Sequence, residues 1–303
     1  MEIIELQQVV KTFGSVTAVR NLDLKVPSGT VYGFIGPNGS GKTTTIRMIM
    51  NILMPDSGVI YIHGKSHTKS RLDGVGYLPE ERGMYKKMKV YDVLKFHGDL
   101  KNAKNIKSEI RYWLKKLDLY DRLDKKVETL SKGMTQKLQF IATVIDRPEI
   151  IILDEPFSGL DPVNAQILIE SLLELQKNGA TIIFSTHDMN MAEKMCDYIF
   201  MIYKGEKVLD GTLQNIQDKY GSDTIRLQTE AGLEALKGIK DIEKINDFGK
   251  MQELRLGPGA ETQKILTEVM KKTRVLKFEV TKPSLNDIFV RIAAPDRKEV
   301  DHA

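Results

Sequence analysis

The 303 residues predict an α/β fold, a parallel sheet flanked by helices, followed by a smaller α+β domain. Three observations carry that prediction. The glycine-rich run Gly36-Pro37-Asn38-Gly39-Ser40-Gly41-Lys42-Thr43 stands between the apolar stretch Val31 to Ile35 and a helical pattern, which is the order strand, loop, helix. From Glu149 onward, short apolar runs alternate with helix-period segments, as a parallel sheet requires. Near Leu213 to Gly221 this alternation gives way to polar residues, and a different rhythm begins.

Composition agrees with a globular chain of about two domains. Hydrophobic residues make up 41% of the sequence, ample for a buried core. Lys and Arg number 45 against 41 Asp and Glu, and a net charge of +4 gives no electrostatic reason to invoke nucleic acid. Cys196 is the single cysteine, which excludes an internal disulfide framework and a thiolate metal cluster and points to a reducing compartment. No stretch reaches the ~18 consecutive apolar residues of a membrane span. The start Met1-Glu2-Ile3-Ile4-Glu5 lacks the basic segment of a signal peptide, so the chain is not expected to cross a membrane by itself.

The elements follow in order. Ile3 to Val10 is a strand, Lys11-Thr12-Phe13-Gly14 a turn, and Leu22 to Val26 a second strand, an antiparallel pair beside the core. After the glycine-rich run, Ile46, Ile49, Met50 and Leu53 keep helical spacing toward Pro55. Residues 90 to 119 form a helical insertion, with Val93, Leu94 and His97 on one stretch and Ile110, Trp113, Leu114 and Leu117 on the next. Its lysines at 95, 101, 104, 107, 115 and 116 are expected on a solvated face, and Trp113 in the core.

Ile150 to Leu153 is a continuous apolar run, the mark of a strand covered on both faces. Asp161-Pro162 opens a helix as cap and first-turn proline, with Leu168, Leu172 and Leu175 inward and Gly179 past its end. Thr181 to Ser185 is the next buried strand. The second domain then predicts strands at 224–228, 242–246, 252–256 and 275–280, with a short helix at 232–236 and a longer one at 261–272. That order, βαββαβ, is ferredoxin-like. Pro283-Ser284-Leu285-Asn286-Asp287-Ile288-Phe289 predicts a closing helix, with disorder expected from Ala293.

The chemistry begins in the glycine-rich run. Gly36, Gly39 and Gly41 let the backbone curl with N–H groups inward, a nest for phosphate at a helix N-terminus formed with Pro37, Asn38, Ser40 and Thr44. Lys42 would neutralise β- and γ-phosphates, and Thr43 would offer its hydroxyl to Mg²⁺. The strand Ile150 to Leu153 ends in Asp154-Glu155, two carboxylates at the sheet edge where ligands of α/β proteins bind. Asp154 suits the metal, and Glu155 suits polarisation of the water that attacks the γ-phosphate. No second such loop is present, so one nucleotide site per chain is expected.

Leu130-Ser131-Lys132-Gly133-Met134 resembles the signature motif of ABC-type ATPases, Leu-Ser-Gly-Gly-Gln, at the N-cap of a helix bearing Met134, Leu138, Ile141 and Ile145. Ser158-Gly159-Leu160-Asp161 is similar to the family's D-loop, His187 to its switch histidine, and Phe13 to the aromatic that stacks on adenine. Glu80 stands where the family usually has a glutamine that contacts metal and attacking water; Lys132 and Met134 replace glycine and glutamine of the signature. Tyr77 to Tyr85 and Pro283 to Phe289 resemble the sodium-efflux and drug-resistance branch of bacterial exporters.

The resemblance implies a P-loop core of ABC type over residues 1–215, with an antiparallel β subdomain and a helical insertion at about 88–145, and an accessory domain over 222–303. It implies ATP and Mg²⁺ as cofactors, with Glu155, His187 and Lys42 catalytic. Phe13, residues 36 to 44, Ser131 and Gly133 would bind nucleotide, and Thr43, Glu80 and Asp154 the metal. It also implies a homodimer in which each signature covers the other subunit's ATP, and a separate permease met through the helical insertion and Glu80 to Tyr85. The location would be the cytoplasmic face of a bacterial membrane. Two alternatives stay open: a soluble ATPase of the same type acting on ribosomes or DNA, and a binding-only regulator.

Overall fold

A computed structural model describes residues 2–66, 72–80, 83–221, 223–257 and 259–297. It divides into two compact units, Met1–Thr212 and Leu213–Ala303. In the first, an antiparallel pair comprises β1 (Glu2–Phe13) and β2 (Val16–Pro27). Both strands outrun the expected segments. Lys11 and Thr12 pair with Val19 and Thr17, and Asp56 accepts both the Lys11 ammonium and the Thr12 N–H at 2.7 Å, so the turn moves to Gly14-Ser15.

Next come β3 (Val31–Ile35), α1 (Lys42–Ile49), β4 (Ser57–Ile62), β5 (Lys65–Ser66) and β6 (Val75–Leu78). Helix α1 stops short of the expected Leu53. Asn51 turns left-handed at φ 54°, and the Ile52 and Leu53 N–H groups fold back onto the Arg47 carbonyl. The helical insertion contains α2 (Val90–Leu100), α3 (Ile106–Lys116) and α4 (Lys132–Val144). Trp113 is fully buried in it. Two of its lysines are not merely solvated: Lys101 donates to the Thr143 carbonyl (2.8 Å) and Asp146 (2.9 Å), tying α2 to the end of α4, and Lys116 pairs with Glu174.

The core closes with β7 (Ile150–Asp154), α5 (Pro162–Lys177), β8 (Thr181–Thr186), α6 (Met189–Met195), β9 (Tyr198–Tyr203) and β10 (Glu206–Gly211). Strands β10-β9-β3-β8-β7-β6 form one sheet, parallel except for the β9–β10 edge. Strands β2-β1-β4-β5 form the separate antiparallel sheet. The continuous apolar run of β7 now has its reason: Ile151 and Leu153 pack with the helical insertion, while Ile150 and Ile152 pack with α1 and the antiparallel sheet.

The second unit starts with α7 (Leu213–Tyr220), so residues 213–215, expected in the first domain, fall within it. Then follow β11 (Thr224–Thr229), β12 (Ile242–Asp247), β13 (Gln252–Leu256), α8 (Thr262–Lys272), β14 (Val275–Thr281) and α9 (Leu285–Arg297). The strand order β12-β13-β11-β14, all antiparallel, is the ferredoxin-like arrangement. The first crossover is a 3₁₀ segment, Gly232–Leu236, rather than an α-helix. Ser284 and Asp287 cap α9 reciprocally, and the helix continues past Ala293 to Arg297 where disorder was expected; residues 298–303 lie outside those described.

Candidate active site

The glycine-rich loop joins β3 to α1 at the C-terminal edge of the parallel sheet. Two glycines are sterically required. At Gly36 (φ 150°) a Cβ would lie 2.3 Å from the Ile202 carbonyl oxygen, and at Gly41 (φ 115°) 2.5 Å from that of Ala18. The loop is thus wedged against neighbouring backbone at these two positions, where it can curl only without a side chain. Lys42, the first residue of α1, is buried, and its ammonium donates to the Gly36 (2.8 Å) and Pro37 (3.1 Å) carbonyls. Burial pulls its pKa below that of an ordinary lysine, opposed by the nearby carboxylates of Glu155, Asp154 and Glu80. Ser40 is also buried, with its hydroxyl oxygen unpartnered. Asn38, Gly39 and Thr44 complete the loop and the first turn of α1.

Register along the sheet sets the rest. Parallel pairing of β7 with β8 places Asp154 beside Ser185. The Ser185 hydroxyl donates to Asp154 Oδ1 and accepts the Glu155 backbone N–H at 3.0 Å. One side chain thereby orients both acidic residues. Sequence reasoning missed Ser185; the signal was a serine directly after the apolar run Ile182-Ile183-Phe184 of a buried strand. Glu155 takes the left-handed conformation, φ 50°, rare for a side-chain-bearing residue and maintained only where the surroundings over-determine it. Its Oε1 lies 3.0 Å from His187 Nδ1, with the imidazole largely exposed.

The residues also fit a divalent cation. Asp154 is fully buried, yet its Oδ2 has no protein partner, and Thr43 Oγ1 lies 3.4 Å from Oδ1. A carboxylate oxygen with spare bonding capacity beside a hydroxyl suits a hard cation that takes its other ligands from phosphate and water. Among the described residues no cluster of three or more His, Cys, Asp or Glu forms a self-sufficient metal cage. Glu80 is exposed just past β6 and lines, with Glu155, Lys132, Gln136 and Ser158, a cavity of about 390 Å³.

Lys42, Thr43, Asp154, Glu155 and His187 therefore converge, with Glu80 at their margin. Phe13, 46% exposed at the β1–β2 turn with the Lys11 ammonium 5.6 Å from its ring centroid, stands apart. Ser131 caps α4, accepting the Met134 N–H at 3.2 Å, so its bonding stays within its own helix. A Cβ at Gly133 would meet Leu160 of the Ser158–Asp161 segment at 3.6 Å. Asp161 caps α5 by accepting the Val163 and Asn164 N–H groups, bonds that hold its carboxyl below the usual range.

Comparison with known proteins agrees with this geometry. Residues 19–158 match the ABC transporter family, and residues 211–293 the C-terminal domain of DrrA1-3-like ATP-binding proteins. The chain is 38% identical over 290 residues to the uncharacterized ABC transporter ATP-binding protein YhaQ of Bacillus subtilis, covering 95% of this chain and 97% of that one. It is 29% identical over 309 residues to the linearmycin resistance ATP-binding protein LnrL of the same organism, covering 96% and 98%. A solved ATP-binding subunit of an ABC transporter superposes with a TM-score of 0.68 at 28% identity, over 72% of this chain and 93% of that one. Phosphate loop, acidic strand end, fold and relatives agree: the chain belongs to the ATP-binding subunits of ABC transporters and is an ATPase.

Proposed function

We propose that this subunit hydrolyses ATP between two copies of itself to drive a separate membrane permease in export. The observation that carries the reading is the juxtaposition of Lys42, Asp154, Glu155 and His187 at one sheet edge. In that reading, backbone N–H groups of residues 36 to 44 cradle the phosphates, Lys42 leaves its loop carbonyls for phosphate oxygens, and Phe13 stacks on adenine. Thr43 and Asp154, with Glu80 beside them, would hold Mg²⁺, which when bound neutralises charge on the phosphate oxygens. Glu155 accepts the proton of the attacking water, and His187 holds the Glu155 carboxylate in place. Ser131, exposed, and Gly133, half-buried, at a helix N-terminus, contact the γ-phosphate held by the other copy.

Only the closed pair makes both sets of contacts, so ATP binding shifts the population toward closure. The motion reaches the permease through the helical insertion. There a cavity of about 310 Å³, lined by Tyr77, Met84, His97, Lys101 and Thr143 among others, opens beside the exposed edge-to-face pair Tyr85 and Phe96. Glu81 and Arg82 of that expected contact segment lie outside the described residues. Peripheral association with the cytoplasmic face of a bacterial membrane follows from that partner. Among the described residues no helix is long and apolar enough to cross a bilayer.

Export is supported by the resistance function in LnrL's name. The second unit acts as an accessory domain. Action on ribosomes or nucleic acid is not favoured by these relatives. The test is Glu155→Gln: turnover should fall by roughly 10²- to 10⁴-fold while ATP affinity persists and sedimentation shows a lasting ATP-dependent dimer. Undiminished hydrolysis would refute the assignment.

A further inference from the structure

Glu155 keeps its left-handed backbone, φ 50°, directly before a proline, although the ring of Pro156 pushes the residue ahead of it toward extended φ. Arg147 does the same before Pro148, at φ 52°, but there the end of α4 imposes it: the Arg147 N–H folds back onto the Val144 carbonyl at 2.9 Å. Glu155 follows a strand, and no helix end dictates its conformation. Its surroundings must therefore hold it.

On the amino side the restraint is Ser185, whose hydroxyl accepts the Glu155 N–H at 3.0 Å. On the carboxyl side Pro156 has no N–H to offer, so a carbonyl is the handle that remains. The Pro156 carbonyl accepts the side-chain amide of Gln136, a residue of α4 that is only 2% exposed. A buried amide has to find a partner, and this one finds it one residue past the strained glutamate. Gln136 also lines the same cavity as Glu155.

The bond is part of a longer contact. Residues 132, 133, 136 and 137 share one face of α4 and meet the segment 156–161. A Cβ on Gly159 would stand 3.2 Å from Lys132 Nζ, a Cβ on Gly133 would stand 3.6 Å from Leu160, and buried Lys137 lies within electrostatic reach of Asp161. Those three contacts act on residues 159 to 161; the Gln136 bond acts beside Glu155 itself.

We propose that Gln136 is a positioning residue for hydrolysis: by holding the Pro156 carbonyl it keeps the Glu155 carboxylate aimed at the attacking water. The inference rests on Glu155 as the base. Without the amide, the Pro156 carbonyl loses its partner and Glu155 relaxes toward the extended φ that proline favours, carrying its carboxylate away from the water.

The test is Gln136→Met, which keeps the length of the side chain and removes its donor. kcat should fall roughly tenfold, as loss of an outer-sphere partner does. KM and the equilibrium affinity for a fluorescent ATP analogue should change little, and thermal unfolding should stay cooperative. Gln136→Asn, whose amide falls one carbon short of the carbonyl, should show the same loss and serves in its place should the methionine variant fail to fold. In a Glu155→Gln background Gln136→Met should lower the residual rate no further, because an amide that cannot take the proton gains nothing from being aimed.

Wild-type kcat in a folded Gln136 variant, equal losses in kcat and ATP affinity, or multiplied losses in the double variant overturns the proposal. Undiminished turnover in Glu155→Gln alone is a different result: it removes the base, and the positioning role with it.

Discussion

The parallel sheet of the first unit and the antiparallel sheet of the second both carry charged residues, and they use them oppositely. Among the parallel strands of the first, β3 and β6 to β9, charge is confined to the end of β7 and the adjoining loop, is buried, and keeps bonding capacity in reserve: Asp154 Oδ2 and Ser40 Oγ have no protein partner, and Lys42 spends its bonds on its own loop carbonyls. In the second, charge spreads along strand faces and largely compensates itself, as in Arg226 with Glu253, Arg255 with Glu243 and Lys277 with Glu279. Buried polar groups without partners are costly. Such atoms also occur at Gln252, Arg255 and Thr281 of the second unit, but at the first unit's sheet edge two of them, Asp154 Oδ2 and Ser40 Oγ, accompany a buried lysine, and a ligand there would complete their bonding. Mutually paired charges mark a surface built for packing or for a partner.

The contrast can be broken, most strongly at the chemistry. After Glu155→Gln, the next largest effect is expected from Lys42→Ala, which removes the cation aimed into the loop. Equilibrium binding of a fluorescent ATP analogue should weaken by about 10- to 100-fold, the worth of charge-assisted hydrogen bonds. Ser185→Ala should lower turnover roughly tenfold, as loss of an outer-sphere partner does, with nucleotide affinity little changed. Steady-state kinetics beside a binding isotherm separate the two quantities. Equal losses in both would make Ser185 a packing residue only.

The smallest expected effect sharpens the other side. Arg291 grips Asp223 with two bonds, 2.8 and 2.9 Å, joining α9 to the start of β11. Arg291→Ala should destabilise the second unit by about 1–3 kcal/mol and leave ATP affinity unchanged. Burial raises the Asp223 carboxyl, but the Arg291 bonds outweigh it, and its pKa lies below the usual value. A depressed carboxylate stabilises the fold above its unfolded pKa, and that contribution fades as pH falls through the folded value. Acid melts of the wild type and Arg291→Ala should therefore converge at low pH; a constant gap would show that the pair does not titrate.

Legibility followed the range of the interaction. The phosphate loop, the Asp154-Glu155 strand end and the Ser131 and Asp161 caps are contiguous in sequence, because each rests on backbone geometry over a few residues. Element limits were less legible. The β1–β2 turn depends on Asp56, distant in sequence, and the end of α1 on where Asn51 could turn left-handed. Lys101 looked like one more surface lysine until the packing of α2 set a helix carbonyl within its reach.

The order of motifs, the two-faced burial of β7 and the change of rhythm near residue 213 were determined by the chain alone, since periodicity and local backbone chemistry need no partner. The tertiary structure alone decided that Ser185 bridges Asp154 and Glu155, that His187 reaches Glu155, and that β14 rather than an inner strand lies at the edge of its sheet. These facts depend on strand register and order. Register joins residues thirty positions apart or more, as with Asp154 and Ser185, and the same side-chain pattern admits several strand orders until packing selects one.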